Sequence, residues 1–360
     1  MAHAENSLIT KARETLEGIL IQVPGVKELE WDLDKHSDPK DLIAEADLTV
    51  GVTASNRRDT LVVELKDQGH PRQLREAVNQ LLRFRRRNDY PVVAAPYITG
   101  EGAAVCREEN VGYFDLAGNC RLAFGNYFIE RTGNPNPIQK GRVTAMPRLY
   151  AAKSERVLRA LFAGTTKAWK VVPLAESVHV SLGTVSTVRT LLLEREWARE
   201  TADGIQLTQP EKLLTDWAAV WARRREQPKT YFTLAPLADA ERQMADFARQ
   251  QKRPFALTGT AGAWRVAPMT KYVRTQVYWE GDPAELADGV GLKPAEAGAN
   301  VHLLAPRDEG VFFQLEEIDG IPIVAPLQLY LDLQRDPARG EEAAEHLWRT
   351  KLFPNDAHAK

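Results

Sequence analysis

"TLVVELKDQGHPRQ", residues 60–73, reads as an apolar strand that acquires charge just before it ends. Successive side chains of a strand point to opposite faces, so Leu61, Val63 and Leu65 share one face while Val62, Glu64 and Lys66 share the other. The first set predicts a core. The second brings a carboxylate and an ammonium up side by side. A solvated surface pair explains such an arrangement at little energetic cost, so the surrounding sequence has to decide its meaning.

Upstream, "SLITKARETLEGIL" (7–20) repeats apolar residues at helical spacing, and "KELEWDLD" (27–34) and "ADLTVGV" (46–52) read as two further strands, with "TASNRRD" (53–59) as a turn. Downstream, a helix begins at Pro71, a residue suited to a first turn, with Leu74, Val78 and Leu81 on one side. "YPVVAAPY" (90–97) predicts a buried central strand. A helix opened by Thr99 and a hairpin, "VGYFDLAGNCRLAF" (111–124), follow.

With 46–52 and 60–66 paired as an antiparallel hairpin closed near Val52 and Leu61, Asp47 falls opposite Lys66 and Thr49 opposite Glu64. Asp47 and Glu64 are then diagonal neighbours on one face, close enough to converge on a cation. Asp is depleted inside strands, and a hard divalent ion supplies a reason for one here. Two carboxylates suit Mg²⁺, which keeps several waters and binds substrate phosphates as well. Lys66 would stand beside the ion, placed to orient or deprotonate a water and to offset charge on a phosphate. On the following helix Gln73, Gln80 and Phe84 form a stripe separate from the apolar face.

The joint pattern of Asp47, "Glu64-Leu65-Lys66" and "Gln80-Leu-Leu-Arg-Phe84", in the order helix, three strands, helix, strand, resembles the PD-(D/E)xK core of restriction endonuclease-like nucleases. The resemblance spans roughly residues 8–125. It implies that Asp47 and Glu64 bind Mg²⁺ with the Leu65 carbonyl as a third ligand, that Lys66 assists the attacking water, and that Gln80 is the helix glutamine of the RecB-like branch. Ala46 stands where the motif has proline, and Phe84 where that branch often has tyrosine. Cores of this kind also serve as inactive binding modules.

A chain of 360 residues is long for one core, and 44% hydrophobic with 27% charged residues describes a globular protein. The formal charge of -2 excludes a wholly basic nucleic-acid coat and leaves local patches, "RFRRR" (83–87) and "RRR" (223–225). Cys106 and Cys120 form neither a disulfide framework nor a zinc set, and no apolar run reaches membrane-spanning length. The expectation is a cytoplasmic protein.

"GNPNPIQKGRVTAMP" (133–147) reads as a linker. Beyond it, "SERVLRALFAGTTKAWKVVPLAESVHVSLGTVSTVRTLLLEREWARETADGIQLTQP" (154–210) has the layout of a winged helix-turn-helix. Its helices are expected at 155–162 and 172–178, followed by one capped by Ser181. On that third helix Val185, Val188, Leu191 and Leu192 point inward, and Thr184, Ser186, Thr187 and Arg189 are left for a major groove. "WARETADGIQLT" supplies the wing. Small hydroxyls and one arginine do not indicate a particular base sequence.

From 229 onward strands ("KTYFTLAP", "TQVYWEG", "NVHLLAP", "GVFFQLEEI") alternate with helices, and "FALTGTAGAW" lacks the lysine of a phosphate loop. This region, with "IPIVAPLQLYLDL" and "AEHLWR", resembles the C-terminal part of AbiEi-type antitoxins of type IV toxin–antitoxin systems, over roughly 150–350. Those proteins usually begin with the winged helix.

The expected fold class is α/β multidomain, in three parts: a restriction endonuclease-like core (1–132), a winged helix-turn-helix (150–226) and a C-terminal α/β domain (229–360). Three functions compete. The first is a Mg²⁺-dependent DNA endonuclease targeted by its winged helix. Against it stands a transcriptional regulator or antitoxin with a silent nuclease-like domain, which would be a homodimer as such regulators often are and would meet a protein partner through its C-terminal domain. The third is an interaction module without DNA.

Overall fold

The structure is a computed structural model describing residues 2–32, 46–54, 57–84, 89–135, 148–225, 227–269, 271–336 and 340–354. The chain is mixed α/β and divides into two compact units, 1–146 with 190–198, and 147–189 with 199–360.

In the first unit seven strands lie side by side in chain order: β1 (Val26–Asp32), β2 (Leu48–Ala54), β3 (Arg57–Leu65), β4 (Asp89–Ala95), β5 (Gly112–Asp115), β6 (Cys120–Phe124) and β7 (Tyr127–Arg131). Strands β3, β4 and β5 are parallel and every other neighbouring pair is antiparallel. Parallel neighbours need crossovers, and α2 (Pro71–Phe84) and α3 (Gly100–Glu108) supply them. Helix α1 (Ala2–Leu20) packs Leu16, Ile19 and Leu20 on one face of the sheet with Val50, Leu61, Val63 and Phe114. On the other face, α2 and α3 bury Leu74, Val78, Leu81 and Val105 against Val93, Ala95 and Tyr113. The result is three layers with β4 at the centre, where the apolar 90–97 stretch was expected. Pro71 opens α2, and the Thr99 hydroxyl caps α3 by accepting the Gly102 N–H at 3.1 Å. β7 was not anticipated, because its alternation of half-buried and exposed residues carries little apolar signal.

One expectation about this sheet is corrected. β2 and β3 pair as Leu48↔Val63, Val50↔Leu61 and Ala54↔Arg57, two residues away from the inferred register. "TASNRRD" is therefore mostly strand: β2 continues to Ala54 and β3 begins at Arg57. Arg58 finds a partner in Glu30 at 2.6 Å, which lets a charged residue occupy a strand position read as turn. The shift is even, so every side chain keeps its face. The Phe84 side chain, residues 33–34, the arginines at 85–87 and most of the 133–147 linker lie outside the described residues.

The second unit opens with α4 (Ala152–Ala163) and α5 (Val171–Ser177). Helix α6 (Leu182–Glu194) begins in this unit, and its last residues group with the first. Then come a hairpin of β8 (Ala198–Thr201) and β9 (Gly204–Leu207), and α7 (Pro210–Ala222). A bridge between Trp169 and Ile205, closed by two backbone hydrogen bonds of 2.8 and 2.9 Å, adds a third short strand segment that the sequence did not reveal. It depends on Gly204, whose φ is +119° and where a Cβ would overlap the Trp169 carbonyl. Gly204→Ala is expected to cost about 2–4 kcal/mol through left-handed strain and loss of the bridge. A urea melt of the variant measures this, and an unchanged midpoint would show that the bridge is dispensable.

The remaining strands form a second seven-stranded sheet in the order β13 (Lys293–Pro294), β10 (Lys229–Phe232), β14 (Val301–Leu304), β12 (Thr275–Trp279), β11 (Phe255–Thr258), β16 (Ile321–Ile323) and β15 (Glu316–Ile318). β12–β14 and β11–β16 are parallel. "GVFFQLEEI" was read as one strand, but its first half is a 3₁₀ turn, Glu309–Phe312, capped by Asp308, and only Glu316–Ile318 is extended. Helices α8 (Leu237–Gln251), α9 (Gly259–Val266), α10 (Pro283–Gly289), α11 (Pro326–Leu333) and α12 (Gly340–Leu347) complete the unit. "FALTGTAGAW" is β11 running straight into α9, and Gly262 is a packing glycine pressed against Leu329 and Ile323. Among the described residues no single helix is long and apolar enough to cross a membrane.

Candidate functional sites

Glu64 lies near the C-terminal end of β3, on the sheet face that carries α2, and is only 6% exposed. Its Oε1 accepts a hydrogen bond from Lys66 Nζ at 2.9 Å, so the two charges of "VELK" are a largely buried pair and not a solvated one. Extending the β2–β3 ladder by one residue sets Asp47 level with Glu64, closer than the diagonal placement expected. Asp47 Oδ2 accepts the Leu65 N–H at 2.7 Å, which ties the start of β2 to the end of β3. Gln80, from α2, lies near enough to Glu64 to help hold its pKa down. The structure thus brings Asp47, Glu64, Lys66 and Gln80 together. Gln73 instead accepts the Gln68 N–H at 3.0 Å and belongs to the turn before α2.

Burial raises the Glu64 pKa above the ordinary carboxylate range, and the Asp47 charge pushes the same way against the hydrogen bonds from Lys66 and Gln80. Two carboxylates that repel each other beside a buried strand end would be relieved by a cation, and their hard oxygens suit Mg²⁺. No cluster of three or more acidic, histidine or cysteine ligands occurs among the described residues. An ion held by Asp47 and Glu64 would therefore keep several of its waters.

Two nearby groups lie beside this site. His70 is half-buried, and burial together with the charge of Arg195 lowers its pKa to about 4, so at neutral pH it is a neutral imidazole. Asp115 was not singled out at all. It is fully buried and accepts the N–H groups of Ile98, Ala117 and Asn119 and the Asn119 side-chain amide, at 2.9 to 3.2 Å. Its "DLAGN" context, an Asp two and four residues ahead of turn N–H groups, was the available signal.

The second cluster lies at the start of α6. Ser181 Oγ accepts the Thr184 N–H at 3.2 Å, as expected of a cap, and lies 3.0 Å from the Thr184 hydroxyl. Val185, Val188, Leu191 and Leu192 are buried, while Ser181, Ser186 and Thr187 are exposed. Thr187 donates its hydroxyl to the Gly183 carbonyl at 2.9 Å. Thr184 and Arg189 are half-exposed. Arg189 is held by Glu200 of β8, because the hairpin folds back beside the helix and offers a carboxylate there. Sequence reading also passed over Arg199 on the hairpin, which donates to Gln206 at 2.9 Å.

In the second unit a polar network is buried around Asp332 of α11. Its carboxylate accepts from Trp221, Tyr278 and Gln328 on Oδ1 and from Thr258 on Oδ2. Glu155 on α4 accepts from Trp217 at 2.8 Å and pairs with Arg224. Arg156 forms a two-pronged ion pair with Asp308 at 2.7 Å. Three indole or phenol donors anchored on carboxylates give this region one packing arrangement.

The class these observations define is a mixed α/β chain with two seven-stranded sheets and an intervening three-helix segment that ends in a hairpin. Residues 206–352, from the second hairpin strand to the C-terminal turn, match the family described as transcriptional regulator, AbiEi antitoxin of type IV toxin–antitoxin systems. No curated protein and no solved structure matches the chain. The match supports the resemblance drawn from the C-terminal sequence and does not extend to the nuclease-like resemblance of the first part.

Proposed function

We propose that this chain is a DNA-binding transcriptional regulator of the antitoxin type. The family match to residues 206–352 supports the reading; the helical segment preceding it is assigned to DNA binding on its own layout. In this reading α4, the Trp169 segment, α5, α6 and the β8–β9 hairpin are a winged helix, with α6 entering a major groove through Ser181, Thr184, Ser186 and Thr187. Arg189, braced by Glu200, sets the wing against that helix and contributes charge at the phosphate backbone. The sequence's three-part division, a cytoplasmic setting, a homodimer and a toxin-like protein partner belong to the same proposal.

The test is fluorescence anisotropy with duplex DNA from the promoter of the gene, at several salt concentrations. Wild type should bind with a log–log salt slope of several units, each neutralised phosphate contributing about −0.9. Ser186→Glu with Thr187→Glu should weaken binding at least tenfold while leaving the melting curve unchanged. Retention of full affinity by that variant, or no binding at about 50 mM salt, overturns the reading.

One observation favours a second activity on the same chain. Asp47, Glu64 and Lys66 lie together at the ends of β2 and β3 with Gln80 nearby on α2, and burial, with the Asp47 charge acting in the same direction, raises the Glu64 pKa. Asp47 and Glu64, with the Leu65 carbonyl, would hold Mg²⁺, which supplies charge neutralisation and an acidic water. Lys66 would orient the attacking water, and Gln80 would fix the Glu64 carboxylate.

A further inference from the structure

The winged-helix reading gives no role to a cavity of about 210 Å³ in the second unit, between the end of α4, the start of α11 and the C-terminal turn. Its walls are largely apolar, from Phe162, Phe313, Pro326, Leu327 and Leu352, and exposed Lys351 stands at its edge. Arg159 lines it too. That arginine is 4% exposed and forms no ion pair among the described residues. Its Nη2 donates to Gln328 Oε1 at 2.5 Å, its guanidinium lies 5.1 Å from the Trp217 ring centre and 6.0 Å from that of Trp221, and its Nε has no hydrogen-bond partner.

A buried guanidinium without a counter-ion is costly, and burial lowers the Arg159 pKa in keeping with that. The nearby carboxylates are already committed: Asp308 to Arg156, Glu155 to Trp217 and Arg224, and Asp332 to four donors, with the Gln328 amide standing between it and Arg159. An anion entering the cavity would supply the missing charge, while the surrounding rings and aliphatic chains would bury an apolar body.

We propose that this cavity binds a small amphipathic carboxylate, with its anionic end on Arg159 and its hydrocarbon end against Phe162, Phe313 and Leu327. The volume is below the range of about 300–1,000 Å³ usual for drug-sized ligands, which suits a molecule of roughly ten non-hydrogen atoms. Arg159 lies on the first helix of the segment read above as a winged helix, so the proposal extends that reading to an effector, yet the binding itself can be measured without DNA.

The probes are 4-methylpentanoate and 3-phenylpropanoate, with their neutral amides as controls, titrated by calorimetry into the full chain. Submillimolar binding of at least one acid is expected, with its amide at least tenfold weaker. Arg159→Gln should lose at least tenfold in affinity, and Arg159→Lys should recover part of it. Because Arg159→Gln also disturbs a buried network, Ala163→Trp provides an independent block at the cavity wall and should abolish binding with an unchanged melting temperature. Equal binding of acid and amide, no binding of either acid at 10 mM, or full affinity in Ala163→Trp overturns the proposal. DNA anisotropy with and without the acid then separates an effector from a ligand that only stabilises the fold; a DNA affinity that is absent altogether would count against the regulator reading and leave the calorimetric result standing.

Discussion

Asp332→Ala should lower the stability of the second unit by about 4 kcal/mol, with a corresponding fall in the urea midpoint of that transition. The carboxylate is 7% exposed and receives Trp221 Nε1 at 3.0 Å, Tyr278 OH at 2.9 Å, Gln328 Nε2 at 2.9 Å and Thr258 Oγ1 at 2.6 Å. Alanine leaves all four donors without their acceptor, around a gap that at most one water could fill in its place. Each orphaned donor costs about 1–3 kcal/mol, and the four are not additive because they share one acceptor group. Asp332→Asn keeps an acceptor oxygen and should cost much less. Burial raises the Asp332 pKa, so its folded value exceeds its unfolded one. The carboxyl's contribution is then greatest at acid pH and falls as pH rises through the folded value. The gap between wild type and Asp332→Asn should accordingly narrow from acid toward neutral pH. A loss below 1 kcal/mol in Asp332→Ala would mean that the network is decoration on an apolar core.

The second large effect concerns the first unit. With Mg²⁺ and supercoiled plasmid, wild-type chain is expected to nick DNA, and Lys66→Ala, Glu64→Gln and Asp47→Ala should each reduce the rate by about 10²–10⁴-fold, the range for losing a charge-stabilising or proton-handling group. Thermal melts give a readout independent of cleavage. At ten times its Kd, Mg²⁺ should stabilise wild type by about 1.4 kcal/mol and the Asp47 and Glu64 variants by almost nothing. Glu64→Gln has a further signature. It removes a desolvated charge facing Asp47, so without metal it should melt no lower than wild type, the pattern of a site kept for chemistry at a cost in stability. A strong loss of stability in Glu64→Gln, together with no Mg²⁺ response in wild type, would assign the pair with Lys66 to architecture alone.

How much of this was legible beforehand follows the range of the signals. Strand phase is a local property with period two, and it put Glu64 and Lys66 on one face and Leu61 and Val63 in the core. Pro71 and Thr99 marked helix starts through chemistry confined to one turn. Register is not local. It depends on how many residues the hairpin turn takes, and Arg57 and Arg58 look like turn residues until Glu30 is found beside them. The same limit hid the Trp169–Ile205 bridge, the Arg189–Glu200 pair and the whole Asp332 network, whose members lie far apart in sequence and meet only in the folded unit. Asp115 was readable in principle, since Ala117 and Asn119 lie within its own turn, but a hairpin reading gave no reason to ask what its side chain accepts.

In the proposed metal site Asp47 would serve two ends with one carboxylate. One oxygen receives the Leu65 N–H and so fastens the end of β3, whatever the charge does for a cation. Asparagine could keep the fastening and lose the charge; alanine would lose both. In a lineage that abandons metal chemistry but retains the fold, drift at this position should therefore stall at asparagine or serine and seldom reach a hydrophobic residue. If the proposed metal site is real, position 47 would then record whether a relative has given up only that chemistry or also the fastening of the strand end.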